Sequence, residues 1–152
     1  MKSVYLSFVR LCHRLNWLPR LLAQIAIGLV FLESGWGKLH NLPKVIEYFE
    51  SLHIPMAQIQ APMVAGIEFV CGILILVGLA TRLAALPLVG TMVVAILTAK
   101  LPEFESWTDV FGTSEFMMIV VLGYLICYGA SPLSLDHVIK QKCDSSNGHP
   151  KN

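Results

Sequence analysis

The chain has 152 residues, of which 55% are hydrophobic and 14% are charged, and its formal net charge at pH 7 is +1. Soluble domains carry about 25% charged residues, so this composition argues against a soluble protein and indicates an integral membrane protein. No basic cluster or aromatic–basic pattern favours nucleic acid as a partner; the lipid bilayer is the expected partner.

Residues 1–17 combine apolar and basic side chains at helical spacing. Arg10 and Arg14 lie among apolar positions such as Phe8 and Val9, which predicts an amphipathic helix on the membrane surface. A disordered tail is the alternative. The basic residues also interrupt any signal-peptide core. We therefore expect no cleaved signal, and we expect the first spanning helix, over about residues 18–39, to serve as the insertion signal.

A polar connection over residues 40–60 separates the first span from the second. Val45, Phe49 and Leu52 share one helical face, and Lys44 and Glu47 lie on the other. The pattern predicts an amphipathic, lid-like interfacial helix, with a solvent-exposed loop as the alternative. The second span, over residues 61–82, is long enough to cross a bilayer.

Two further spans follow a tight turn at residues 78–83. The third covers about residues 83–101, and a shorter fourth covers about residues 113–128, after an acidic loop. The sequence predicts an all-α membrane protein, a four-transmembrane-helix bundle with an interfacial helix between the first and second spans. The membrane domain is expected over residues 18–137, followed by a disordered cytoplasmic tail over 138–152.

Four crossings place both termini on one side of the membrane, which we name side A; the opposite side is side B. Side B carries three basic residues, Lys38, Lys44 and Lys100. Side A carries the others: Lys2, Arg10, Arg14, Arg20, Arg82, Lys140, Lys142 and Lys151. Because cytoplasmic loops are enriched in Lys and Arg, we expect side A, and with it both termini, to be cytoplasmic.

The second span contains a carboxylate, Glu68, which is costly in hydrocarbon and is expected to face the bundle interior or a wet cavity. Ala61, Ala65 and Gly72 share its helical face, and small residues allow close helix packing. Three more ionisable residues lie in the side-B half of the bundle and are expected to form a polar chamber with Glu68: Glu33, Lys100 and Glu115. Lys38, also toward side B, is expected to compensate charge there, as is Lys100.

Structural alternatives remain open for these residues. Glu68 could join helices as a protonated acid, and Glu115 could simply complement the dipole at a helix N-terminus. Lys38 and Lys100 could extend to the lipid headgroups.

The cysteines do not point to chemistry by this chain. Cys12, Cys127 and Cys143 lie toward side A, in the reducing compartment, where disulfides are rare, and Cys71 lies within a span. No Cys/His spacing resembles a metal site, so no metal is predicted.

Four stretches together resemble the DoxX family of small four-helix membrane proteins. They are residues 28–39 (GLVFLESGWGKL), residues 52–55 (LHIP), residues 65–85 with Glu68 and the Thr81–Arg82 turn, and Glu115 with residues 128–136 (YGASPLSLD). The resemblance covers residues 21–137. It implies a four-helix inner-membrane bundle in which five positions match the family pattern: Glu68, Arg82, Lys38, Glu115 and Asp136.

The resemblance also implies a link to redox biology, because the related DoxD subunit belongs to a thiosulfate:quinone oxidoreductase. Our leading hypothesis is a membrane subunit of a redox system that oxidises a small reduced species. A quinone that is not covalently bound is the candidate cofactor, and a protein partner or a second copy is expected. A proton-coupled small-solute carrier and a non-catalytic scaffold are the alternatives.

Residue roles follow from this hypothesis. Glu68, Glu115 and Lys38 are the candidate catalytic residues, with Glu68 exchanging protons. A structural or charge-pairing role is assigned to Arg82, Asp136, Lys100 and Glu33, with Arg82 holding the side-A turn against Asp136.

Overall fold

The computed structural model describes Leu15 and residues 17–129, which form helices joined by short turns. The helices are α1 Trp17–His40, α2 Leu42–Ser51, α3 Ala57–Val77, α4 Thr81–Ala95 and α5 Ser114–Tyr128. A π-helical turn, Ile96–Lys100, continues α4, and the 3₁₀ turns Leu101–Glu103 and Asp109–Gly112 precede α5. Apart from Leu15, the surface helix expected before residue 17 lies outside the described residues. The tail expected over residues 138–152 also lies outside them.

Among the described residues, three helical stretches are long and apolar enough to cross a membrane: Trp17–His40, Ala57–Val77 and Thr81–Lys100. Helix α5 is a shorter apolar helix packed beside them. The outward faces carry exposed apolar side chains such as Leu22, Leu83 and Leu86, as expected for a lipid-facing surface. The predicted fold, a membrane bundle with an additional helix between its first two spans, is confirmed.

The spanning helices pack as a ring in the order α1, α3, α4, α5, in which each helix contacts two neighbours. The contact between α1 and α3 is the most extensive, because glycines let the two backbones approach. A Cβ atom added at Gly35 would lie 2.7 Å from the Cα atom of Phe69, and one at Gly72 would lie 2.6 Å from the backbone nitrogen of Leu32. These two glycines therefore set the distance and the register between α1 and α3.

Helix α3 begins earlier than the sequence indicated. The carbonyl of Met56 accepts hydrogen bonds from the backbone N–H groups of Ile59 and Gln60, so the helix starts at Ala57 rather than at residue 61. Pro62 consequently lies inside the helix. Glu68 therefore lies in the middle of α3, deeper from the side-B end than the sequence indicated.

The turn between α3 and α4 is a Schellman motif. The N–H groups of Gly78 and Leu79 donate to the carbonyls of Ile75 and Leu74, at 3.0 and 2.8 Å, and Gly78 has a φ of 72°. Glycine adopts this left-handed conformation without steric cost. The turn lies where the sequence predicted it. It is shorter than expected, because α4 already starts at Thr81 rather than at about residue 83.

The interior of the bundle is filled at the side-A end and open toward side B. A compact core joins the side-A halves of the four helices, through residues such as Phe31, Ile75, Leu88, Leu122 and Leu125. Toward side B, residues of all five helices, α2 among them, line a cavity in the described part of the chain.

We predict that the two glycines Gly35 and Gly37 of α1 respond differently to substitution by alanine, because only Gly35 contacts α3. Gly35→Ala should destabilise the bundle by about 1–3 kcal/mol, as overpacking does, because the new methyl group meets the Phe69 backbone. Unfolding in mixed detergent micelles, followed by circular dichroism, measures the effect. Gly37→Ala is the matched control, since a Cβ there meets nothing within 4 Å. Equal stability of the two variants would contradict the close contact.

A buried ion pair beside a membrane cavity

The carboxylate of Glu68 is buried in the bundle, with 1% of the side chain exposed, and forms an ion pair with Lys38. The Lys38 Nζ atom lies 2.5 Å from Oε1 and 2.6 Å from Oε2, and the Ser34 hydroxyl donates to Oε2 at 2.8 Å. Both carboxylate oxygens thus have donors. A carboxylate inside a membrane bundle is expected to be paired in this way.

The local sequence of α1 explains why these donors meet Glu68. Ser34 and Lys38 are four residues apart, so they share one face of the helix, and Gly35 beside them brings that face against α3. On α3, the predicted inward face of Ala61, Ala65, Glu68 and Gly72 is confirmed, since all four are buried. Lys38 was a predicted site residue but Ser34 was not, although its four-residue spacing from Lys38 could have indicated it.

The pair lies at the edge of a cavity of about 740 Å³. Binding pockets for small molecules commonly have volumes of about 300–1,000 Å³. The lining is mostly apolar and comes from all five helices, with Phe31, Ile67 and Met92 among its residues. Ser34, Lys38 and Glu68 form a polar group on this otherwise apolar wall. The side chain of Lys38 is 29% exposed, so its ammonium group can contact a molecule in the cavity.

The side-B mouth of the cavity carries three more charged residues: Lys44 on α2, Lys100 in the π-helical turn and Glu115 in the first turn of α5. Glu115 and Lys100 are half-buried, and Lys44 is exposed. The π turn widens the end of α4, so that Thr98, Ala99 and Lys100 all line the cavity. π-Helical turns are frequent at functional sites. Lys44 and Tyr48 on α2 were not among the predicted chamber residues.

Glu33 departs from the expected arrangement. It is exposed on α1 and does not line the cavity, because each residue turns the helix by about 100° and its neighbour Ser34 takes the inward position. Of the predicted chamber residues, the cavity therefore brings together Glu68, Lys100 and Glu115, with Lys38 beside them and without Glu33.

The side-A residues lie away from the cavity. Arg82 donates from Nη2 to the carbonyl of Cys127 at 3.3 Å and so ties the start of α4 to the end of α5. Asp136, its predicted partner, lies outside the described residues. Arg20 lies over the ring of Tyr128, 5.8 Å from its centroid.

The two described cysteines lie in different environments. Cys71 is buried and Cys127 is exposed, and neither forms a disulfide. Over residues 17–129, no group of three His, Cys, Asp or Glu side chains lies close enough to hold a metal ion.

We predict that Lys38 and Glu68 are energetically coupled. Lys38→Met should destabilise the bundle by about 3 kcal/mol, because it leaves a buried carboxylate without its counter-charge. Glu68→Gln should cost less, since Lys38 can turn toward the cavity. The double variant should be less destabilised than the sum of the two, as measured by denaturant titration of all three variants.

The control is Glu33→Gln, which removes an exposed carboxylate from the same helix as Lys38. Its stability should stay within about 0.5 kcal/mol of the unchanged protein. Additive effects of the two single substitutions would show that the ion pair contributes no coupling.

The family model described as DoxX matches residues 20–101. A Mycobacterium tuberculosis protein, "Uncharacterized membrane protein Rv3486", is 31% identical over 90% of both chains. The Escherichia coli "Inner membrane protein YqjF" is 35% identical over 80% of this chain and 92% of its own. No solved structure gives a significant match.

A third relative carries a functional name. The Bacillus subtilis protein named "Putative oxidoreductase CatD" is 30% identical over 76% of this chain and 83% of its own. The family match covers the segment that holds Lys38, Glu68 and most of the cavity lining. The described helices and the relatives agree on a membrane protein. This chain is a member of the DoxX family.

Proposed function

We propose that this protein is the quinone-binding membrane subunit of a redox system. The observation that carries the proposal is the Lys38–Glu68 ion pair on the wall of a mostly apolar cavity. A quinone ring is flat and apolar except for its carbonyl oxygens, which accept hydrogen bonds. The name of the Bacillus subtilis relative supports an oxidoreductase role.

Lys38 supplies the group that recognises the ring. Its ammonium group can donate three hydrogen bonds and accepts none. It contacts both carboxylate oxygens of Glu68, which hold it in place. Ser34 holds Oε2 of the same carboxylate, which orients the pair. An ammonium group held in this way can donate to a carbonyl oxygen in the cavity without moving the helices.

Proton transfer is the second role of the pair. A quinone that accepts two electrons also takes up two protons, so its site needs groups that exchange protons with water. Lys38 can release a proton at Nζ, and Glu68 can hold one at Oε1. Glu115 at the side-B mouth gives a further carboxylate between this pair and water, and Lys100 contributes positive charge there.

The electrons that reduce the quinone come from a partner protein, which oxidises a small reduced species of the thiosulfate class that the DoxX resemblance implies. Proton exchange and binding of the quinone ring are then the roles of this chain. A proton-coupled carrier would use the same pair differently, moving its solute from one side of the membrane to the other.

We predict that Lys38 is required for quinone binding. In the purified protein, Lys38→Met/Glu68→Gln should weaken binding of a tail-less benzoquinone about 10- to 100-fold, the value of a charged hydrogen bond. Isothermal titration calorimetry in detergent measures the dissociation constant. Glu105→Gln, in the exposed loop, is the control and should bind normally.

Unchanged binding by the double variant would contradict the proposal. Solute uptake into proteoliposomes that depends on Glu68, in a protein that binds no quinone, would support the carrier instead.

The proposed location is a bacterial inner membrane with both termini cytoplasmic. The name of the Escherichia coli relative supports this membrane, and the excess of Lys and Arg on side A supports this orientation. Trp107, in the loop before α5, is 85% exposed and would face the exported side.

We predict that a cysteine at position 107 reacts from outside the cell. Two variants test this. The first carries Trp107→Cys, and its Cys12, Cys127 and Cys143 are changed to serine. The second keeps Trp107 and Cys143, and its Cys12 and Cys127 are changed to serine. A membrane-impermeant maleimide should label the first in intact spheroplasts and the second only after permeabilisation. The opposite pattern would reverse the orientation. Buried Cys71 stays in both variants and should react in neither.

A further inference from the structure

The cavity has an opening on the flank of the bundle in addition to its charged side-B mouth. Five residues of the spanning helices both line the cavity and are exposed: Val30, Met63, Pro87, Gly90 and Val94. Four of them belong to α3 and α4, so the main lateral opening runs between these two helices. Its rim is made of apolar side chains and a glycine.

The depth of this opening places it within the hydrocarbon layer. Gly90 is halfway along the 20-residue span Thr81–Lys100, about 15 Å from either end at 1.5 Å per residue. A hydrocarbon core is about 30 Å thick, so the opening at Gly90 faces lipid tails. Glu68 lies at the middle of α3, at a similar depth.

The side-B mouth has a different character. Helix α2 lies across it, with Tyr48, Phe49 and Leu52 lining the cavity, and Lys44, Lys100 and Glu115 surround the remaining passage. A long apolar ligand would have to pass these charged groups to enter from water. Charged groups at the mouth are suited to protons, and an apolar gap within the bilayer is suited to a lipid.

We propose that the cavity takes a lipid-soluble quinone with a long apolar tail, which enters between α3 and α4 and keeps its tail along the Gly90 face of α4. The ring then lies next to Lys38, and protons reach it through the side-B mouth. This inference rests on the proposed function and adds to it the class of quinone and the entry route.

Gly90 gives a direct test because a side chain can be added there without a clash. A Cβ atom at Gly90 meets nothing within 4 Å, so Gly90→Phe should fold normally while its ring fills the opening. Gly66→Phe is the matched control: Gly66 lies on α3, a Cβ there also meets nothing within 4 Å, and the residue does not line the cavity.

The experiment compares two probes, a benzoquinone with a decyl tail and the same ring without a tail. Gly90→Phe should weaken binding of the tailed probe by at least about tenfold, the effect of a modest steric penalty. Binding of the tail-less ring should change less than about twofold, a difference well under the energy of one hydrogen bond. Gly66→Phe should leave both dissociation constants unchanged, and circular dichroism checks that each variant is folded.

The outcomes separate the two proposals. If the tail-less ring binds the unchanged protein and Gly90→Phe leaves the tailed probe unaffected, lateral entry is wrong and quinone binding stands. If Gly90→Phe weakens both probes equally, the residue blocks the ring itself and the tail path is wrong. If neither probe binds the unchanged protein, the proposed function fails.

Discussion

The structure depends on pairing one carboxylate inside a membrane bundle. An ionisable side chain at the centre of a spanning helix costs at least about 2.5–3.5 kcal/mol on insertion scales, and Glu68 lies in the middle of α3. Its burial is tolerable because Lys38 and Ser34 occupy both carboxylate oxygens. Those donors reach it because Gly35 and Gly72 let the backbones of α1 and α3 touch. The glycines and the ion pair thus form one structural unit.

The cavity follows from how the rest of the bundle is arranged around that unit. The compact core holds all four spanning helices together near side A. Toward side B, Gly35 keeps α1 against α3, while α4 ends in a π turn. Residues of α2 also line the space between these helices. The α1–α3 wall of the cavity therefore carries the ion pair, and the α4–α5 wall carries Lys100 and Glu115.

Much of the fold could be predicted from the sequence, because the signals were local. Long apolar stretches fixed the number of spans, and the spacing of Ala61, Ala65, Glu68 and Gly72 predicted the inward face of α3. The amphipathic pattern over residues 40–60 predicted α2. The start of α3 was missed because the span was placed on the apolar stretch that begins at residue 61, whereas the Met56 carbonyl accepts the first hydrogen bonds of the helix. That error placed Glu68 too close to side B.

The candidate site was only partly predictable, because it depends on the register between helices. Lys38 and Glu68 were both selected from the sequence, but their pairing follows from the stagger that Gly35 and Gly72 impose. Glu33 was included because it lies in the side-B half of the first span, although helical geometry turns it outward. The apolar opening at Gly90 leaves no local signal, since an exposed glycine in a span looks the same whether it borders a cavity or faces lipid.

Infrared difference spectroscopy tests the central claim most directly, by comparing the unchanged protein with Glu68→Gln before and after a tailed quinone is added. The account predicts that the substitution removes a band of an ionised carboxylate and that quinone shifts this band in the unchanged protein only. A Glu68 band of a protonated carboxyl group, or an ionised band that does not respond to quinone, would contradict an ion pair that binds its ligand in the cavity.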